Sequence, residues 1–204
     1  MIAVVDYGVN NSNSVIRMIQ KVGGAAFKTK NIHEIKNAQK LIIPGVGSFD
    51  EGMKNLSQLG MIDLLKEMIE KKESPVLGIC LGMQLLCHTS EEGTGCGLGL
   101  VPANVKKLKN ELEGTFKVPH MGWNTIEVIR KNRLFDSDLS EKRFYFVHSY
   151  YVEPESDDIC SAKAYHGLDF CAAFEHKNIY GVQFHPEKSH RFGMSLIRNF
   201  VDLK

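Results

Sequence analysis

The sequence predicts an α/β protein built on an open, mostly parallel, doubly wound sheet with flanking helices and an added antiparallel β region. Three observations predict it. Short apolar runs alternate with amphipathic helical stripes through the first half of the chain, the pattern of successive β-α units. From residue 100 onward the helical period gives way to a series of strand-like segments divided by turn residues. Between these halves an apolar run breaks at a Gly-x-Cys-x-Gly and continues as a helical pattern. That is the strand–turn–helix device that lifts a reactive side chain clear of a parallel sheet.

The elements follow in order. Residues 2–5 (IAVV) form a strand, and Val15, Ile16, Ile19 and Val22 mark an amphipathic helix that Gly23-Gly24 ends. Residues 26–28 and 41–43 are two further short strands. Met61, Leu64, Leu65, Met68 and Ile69 make the apolar stripe of a second helix, with Lys66, Glu67, Glu70 and Lys71 outside and Glu67 and Lys71 paired at i, i+4. Ser74-Pro75 closes that helix before the strand at 76–79. Later strands are expected over 100–108, 125–129, 143–152, 159–165, 171–176 and 179–184. Gly167-x-Asp169 and Asn178 read as hairpin turns. Phe192, Leu196, Ile197 and Phe200 form a closing amphipathic helix.

Length and composition bound the function. The 204 residues suit one domain, 1–204, and 43% hydrophobic with 24% charged residues is the balance of a soluble globular protein. A net charge of +1 with no basic stripe excludes a nucleic acid held by bulk electrostatics. No apolar run approaches the roughly 20 residues needed to span a bilayer. The chain begins directly in a strand without a basic leader, so a cytoplasmic location is expected. The cysteine count is five, at Cys80, Cys87, Cys96, Cys160 and Cys171, an odd number with no Cys-x-x-Cys pair, so neither a disulfide framework nor a zinc site is expected. Cys87, two turns after Cys80, is expected in the core.

The chemistry concentrates in three places. At Gly78-Ile79-Cys80-Leu81-Gly82 the glycines suit a turn with no room for side chains, and a thiol at the following helix N-terminus is expected to ionise easily. A buried structural cysteine is the bland alternative. Near the C-terminus, His185 and Glu187 end an apolar strand two residues apart, placed to act as a base and the acid that orients it. Pro44-Gly45-Val46-Gly47 follows a short strand, and its backbone N–H groups can turn toward a developing oxyanion; alone it reads equally as a tight loop.

Together these motifs resemble the triad-type (class I) glutamine amidotransferases. Two further segments, VPHMGWN at 118–124 and YFVHSY at 145–150, are similar to those of the glutaminase subunits of imidazole glycerol phosphate synthases. The resemblance covers nearly the whole chain. It implies a sheet of that family's kind and a triad of Cys80, His185 and Glu187. It also implies an oxyanion hole from Gly45, Val46, Gly47 and Leu81, and glutamine held by Gln84, Glu92, Ser149 and Tyr150. His120, Trp123 and Lys188 are implied to face a partner, a (β/α)8 synthase (cyclase) subunit in a heterodimer that takes up the ammonia. Trp123 reads as part of a Gly/Pro-bracketed loop, and His148 and His88 as structural. No metal and no organic cofactor is implied. The chain departs from the family's Asp-Tyr-Gly-x-Gly-Asn-Leu pattern at Asn10 and Ser12. That departure keeps a sugar-amidating paralogue as an alternative. A stand-alone cysteine hydrolase and a catalytically dead binding subunit are two others, opposed by Gln84 with the Trp123 loop and by the intact triad respectively.

Overall fold

The computed structural model describes residues 1–8, 11–109, 116–135 and 142–203. In chain order the first half runs β1 (Ile2–Val5), α1 (Ser12–Lys21), β2 (Ala26–Thr29), α2 (Ile32–Lys36), β3 (Lys40–Ile43), α3 (Phe49–Gln58), α4 (Met61–Lys66), β4 (Val76–Ile79) and α5 (Leu81–Leu85). The second half adds β5 (Thr89–Ser90), β6 (Ala103–Lys107), β7 (His120–Thr125), β8 (Glu127–Val128), β9 (Arg143–His148), β10 (Tyr150–Pro154), β11 (Cys160–Tyr165), β12 (Asp169–His176), β13 (Ile179–Val182) and α6 (His190–Asp202).

The main sheet has the order β2-β1-β3-β4-β13-β12-β10-β6-β5, with β11 and β8 branching from β12. Its first five strands are parallel, and antiparallel pairing begins at β12–β13. This is the expected fold class. All residues of β1, β4 and β13 are buried, because helices cover both faces of the parallel part. One core layer packs Ile35, Phe49, Leu56, Leu64 and Leu65 against the sheet. The other packs Val15, Ile19, Phe192, Leu196 and Phe200, joined by Phe144, Phe146 and Phe184. Among the described residues no helix is long and apolar enough to cross a membrane.

Several elements differ from the sequence expectation. Helix α2 is only five residues long, buries only Ile35 fully, and is started by the Asn31 side chain, which accepts from the His33 N–H at 2.9 Å. Helix α3 carries Gly52 in its apolar stripe, where an added Cβ would lie 3.1 Å from Leu85. The second helix winds into a π-turn over Glu67–Lys71, which puts i and i+4 out of line. Glu67 instead faces Lys36 at 3.5 Å. The expected strand over 143–152 breaks at Ser149: β9 pairs with β7 in a separate two-stranded sheet, and β10 joins the main sheet between β12 and β6. The expected loop around Trp123 is strand β7, paired antiparallel with β9 from His120 opposite His148 to Thr125 opposite Arg143. Gly122 and Asn124 hide its strand character in the sequence, and the ladder to β9 supplies the order that propensity does not. The hairpin turns stand at Gly167 (φ +80) and at Lys177-Asn178, where Lys177 takes φ +57. Asn10 lies outside the described residues.

Candidate active site

Sheet register assembles the site. β3, β4 and β13 are neighbours, with Ile43 opposite Gly78 and Ile79 opposite Val182. Their carboxyl ends therefore release Pro44, Cys80 and Gln183 side by side at one edge, the usual place for a site in an open parallel sheet. The Cys80 N–H donates to the Val182 carbonyl at 2.8 Å, which pins the elbow to the strand that carries His185.

Cys80 itself bears the strain of the turn, at φ 52 and ψ −108, a region costly to any residue with a side chain. Gly78 and Gly82 have ordinary φ; their role is space. An added Cβ on Gly78 would lie 2.7 Å from the Gly82 carbonyl oxygen, and one on Gly82 only 1.8 Å from the Ile43 carbonyl oxygen. Gly45 is equally tight, 2.6 Å from the Leu81 Cβ, so the Pro44–Gly47 loop rests directly on the elbow. Gly47 takes φ +118, and the Tyr7 hydroxyl holds the Pro44 carbonyl at 2.5 Å. Burial, with the nearby Cys80 charge adding to it, pushes the Tyr7 phenol up, so it stays a donor.

His185 is fully buried, and its Nδ1 lies 2.7 Å from Glu187 Oε1. Asn11 Nδ2 donates to the same oxygen at 3.1 Å. The backbone is fixed as well: the His185 N–H donates to the Tyr145 carbonyl at 2.9 Å, and the buried Ser189 hydroxyl donates to the His185 carbonyl at 2.6 Å. The other ring nitrogen, Nε2, is buried with no conventional hydrogen-bond partner. Burial works against a charged His185, but the Cys80 sulfur and the Glu187 carboxylate outweigh it, and the imidazole pKa is raised to about 10. Burial also works against a charged Glu187. The hydrogen bond and charge of His185, with help from its own N–H and Asn11, hold its carboxyl below the usual range.

A cavity of about 400 Å³ opens beside the sulfur, lined by Val46, Gly47, Cys80, Leu81, Gln84, Glu92, Ser149, Tyr150 and His185 among others. Gln84 is buried, and its Nε2 donates to the Tyr150 carbonyl and to Gln183 Oε1, each at 3.1 Å. Gln183 in turn donates to Cys80 Sγ at 3.7 Å. Glu92 accepts from the Phe49 N–H at 2.8 Å, an anion at the start of α3. Gly45 and Glu187 stand behind this wall rather than on it.

The chain matches the family "Glutamine amidotransferase class-I" over residues 3–203. It belongs to the class I glutamine amidotransferases. It is 50% identical over 201 residues to "Imidazole glycerol phosphate synthase subunit HisH 2" of Methanococcus maripaludis, covering 98% of each chain. It is 45% identical to "Imidazole glycerol phosphate synthase subunit HisH 1" of Campylobacter jejuni strain 81-176, covering all of both. Among solved structures, a protein titled "glutamine amidotransferase" superposes with a TM-score of 0.77 at 17% identity, covering 99% of this chain and 98% of that one. A "putative gmp synthase subunit a protein" of Thermoplasma acidophilum gives 0.73 at 24%, covering 98% and 91%. These two likenesses concern the fold.

The remaining implied residues of this amidotransferase divide between surface and interior. Trp123 is 42% exposed, stacks parallel on His190 with ring centres 5.6 Å apart, and meets Tyr145 edge-on. Lys188 sits over the same Tyr145 ring at 5.5 Å, so Trp123 and Lys188 share one exposed patch. His120 does not join them. Strand alternation turns it inward, where it is 4% exposed and bonded to His148. Sequence reasoning missed Gln183, Asn11 and Tyr7. Gln183 was detectable as a polar residue inside an otherwise apolar, fully buried strand end; Tyr7 and Asn11 were detectable only as the positions that keep the family's Asp-Tyr-Gly-x-Gly-Asn-Leu pattern.

Proposed function

We propose that this chain is the glutaminase subunit of an imidazole glycerol phosphate synthase. It hydrolyses glutamine and passes the ammonia to a (β/α)8 synthase subunit in a cytoplasmic heterodimer. The observation that carries the reading is the strained Cys80 beside a buried imidazole whose far nitrogen is bonded to Glu187 and whose near nitrogen is left to the sulfur. The names of the full-length relatives support the acceptor chemistry.

On this reading the reaction runs as follows. Glutamine enters the cavity with its carboxamide over Cys80. The sulfur, its proton taken by His185, attacks the amide carbon. The resulting oxyanion lies at the junction of Leu81 and the Val46–Gly47 backbone, where each N–H donor is worth about 3–4 kcal/mol of barrier. His185, held protonated by Glu187, gives its proton to the leaving nitrogen, and ammonia departs. A water then attacks the thioester with His185 as its base, the adduct collapses to glutamate, and the thiol is restored. Every step uses side chains and backbone already present.

The test is co-purification with the synthase subunit of the same organism, followed by glutamate release with and without acceptor nucleotide. Stimulation by partner and acceptor is expected. Cys80→Ala should abolish synthesis from glutamine and leave synthesis from ammonium salts intact; glutamine-dependent synthesis by that variant refutes the reading.

A further inference from the structure

From the wall of the glutamine cavity, which His148 helps to line, runs a line of hydrogen bonds that the mechanism above does not use. It begins at the Tyr150 carbonyl, which accepts from His148 Nδ1 at 2.8 Å as well as from Gln84. His148 Nε2 lies 2.9 Å from His120 Nδ1, and His120 Nε2 lies 3.2 Å from Asn124 Nδ2. The Asn124 amide is itself oriented, since Nδ2 also donates to the Tyr165 carbonyl at 2.9 Å and Oδ1 accepts the Thr125 N–H at 2.8 Å.

Donor chemistry gives this line one direction only. A carbonyl oxygen accepts, so His148 Nδ1 carries a hydrogen; in a neutral ring Nε2 is then the acceptor. His120 must therefore donate from Nδ1, which leaves its Nε2 to accept from Asn124. A second proton on His148 would set two N–H groups against each other at 2.9 Å. The surroundings oppose that charge. Burial lowers His148 to about 3 and His120 to about 4, with His120, His166 and His185 adding repulsion at His148 and His166 at His120. The His120 ring is clamped between His166 and Phe146, with centroid separations of 4.1 and 4.7 Å.

We propose that His148, His120 and Asn124 form a neutral, one-directional hydrogen-bond relay that positions the Tyr150 carbonyl, and through it Gln84, to receive glutamine. The proposal rests on the glutaminase reading and assigns these residues a positioning role within it. Its consequence for the substrate follows from Gln84. Both hydrogens of the Gln84 amide nitrogen are committed, one to Tyr150 and one to Gln183, so the Oε1 end is left to accept from an N–H of the ligand. Without the His148 bond the Tyr150 carbonyl keeps one of its two donors, and Gln84 can rotate. The relay ends beside Trp123 on β7, so it also ties the cavity wall to the strand with the exposed aromatic face.

The experiment measures glutamate release by the complex with the synthase subunit, with acceptor nucleotide present. His148→Phe keeps a ring and loses both bonds. It should raise the KM for glutamine about tenfold, the effect of one lost buried hydrogen bond, with kcat within about threefold of wild type. His148→Asn, which keeps a donor close to the backbone, should recover most of the KM. In parallel, nitrogen NMR of histidine-labelled wild-type protein at pH 7 should show His120 and His148 as neutral Nδ1–H tautomers; this readout stands even where a variant does not fold. An unchanged KM in folded His148→Phe overturns the relay, and so does an Nε2–H tautomer or an imidazolium at either site. Absence of glutamate release by the wild-type complex overturns the glutaminase reading instead.

Discussion

Gly82→Ala tests whether the elbow and the oxyanion loop are one mechanical unit. The added methyl carbon would stand 1.8 Å from the Ile43 carbonyl oxygen and 2.7 Å from the Ile43 carbonyl carbon. Carbon approaches a carbonyl oxygen to about 3.3 Å, so α5 and the end of β3 must separate by about 1.5 Å. Neither side yields easily, because Ile43 and Leu81 are buried and β3 is hydrogen-bonded on both edges. Overpacking of this kind costs about 1–3 kcal/mol, and the backbone-on-backbone clash puts this case at or above about 3. For a chain of this length that lowers Tm by roughly 6–12 °C. Activity should suffer more than stability. Ile43 leads directly into Pro44, so the displacement passes to Gly45, Val46 and Gly47, and a misplacement of about 1 Å in a catalytic group costs on the order of a hundredfold in rate. The assay pairs a thermal melt with glutamate release at saturating partner and acceptor, well below the variant's Tm. A melt within 2 °C (roughly 0.5–1 kcal/mol) together with wild-type turnover refutes the reasoning.

Three further outcomes are expected. Glu187→Gln removes the charge that faces His185 at 2.7 Å and leaves the shape. Loss of one charge-assisted hydrogen bond, about 1.5–3 kcal/mol, should lower glutaminase turnover by about ten- to 150-fold without changing ammonium-dependent synthesis. On the acid side, His148 and His120 are neutral in the folded state down to about pH 3 and 4 but charge near pH 6.5 when unfolded. The unfolded chain then binds more protons, so urea midpoints should fall as pH drops below 6.5 toward 4, with uptake of about two protons per molecule. His185 has the opposite sign: its contribution is complete below pH 6.5 and is lost as pH rises toward about 10. Trp123→Ala should leave the melt unchanged, because the ring is partly exposed, and weaken the complex with the synthase subunit by about thirtyfold or more in calorimetry.

The parts of the molecule legible in the sequence are those whose signal is local. A continuous apolar run covered on both faces announces β1 and β4 directly, and the strained turn at Cys80 is written in the glycines on either side of it. Helix α2, with one buried residue, has too short a stripe to register. Strand β7 is invisible for a different reason. Its order comes from β9, a pairing no window of sequence contains, and its inward and outward faces carry His120 and Trp123 in a pattern that reads as a loop until the partner strand is known. The same blindness grouped His120 with Trp123 on one outer face, whereas alternation along β7 turns Trp123 outward and His120, three residues earlier, inward. Gln183 and Asn11 reach Cys80 and Glu187 from distant segments; a polar residue in an apolar run is the one local sign of Gln183, and the contacts themselves come from the fold.

That sheet order also explains why the strain sits where it does. β4 is flanked by β3 and β13 in fixed register, so the chain leaving Ile79 has no lateral freedom, and α5 must begin at once to cover the sheet. A residue at that corner is forced to positive φ. Glycine would relieve the strain but would carry no thiol; cysteine accepts the cost and places a sulfur in the cavity that His185, delivered by the adjacent strand, also lines. The two flanking glycines let β3 and α5 close on the corner, and the Cys80–Val182 hydrogen bond locks it. The geometry of the candidate site is thus a property of three adjacent strand ends, and substitutions that part those strands should cost activity before they cost the fold.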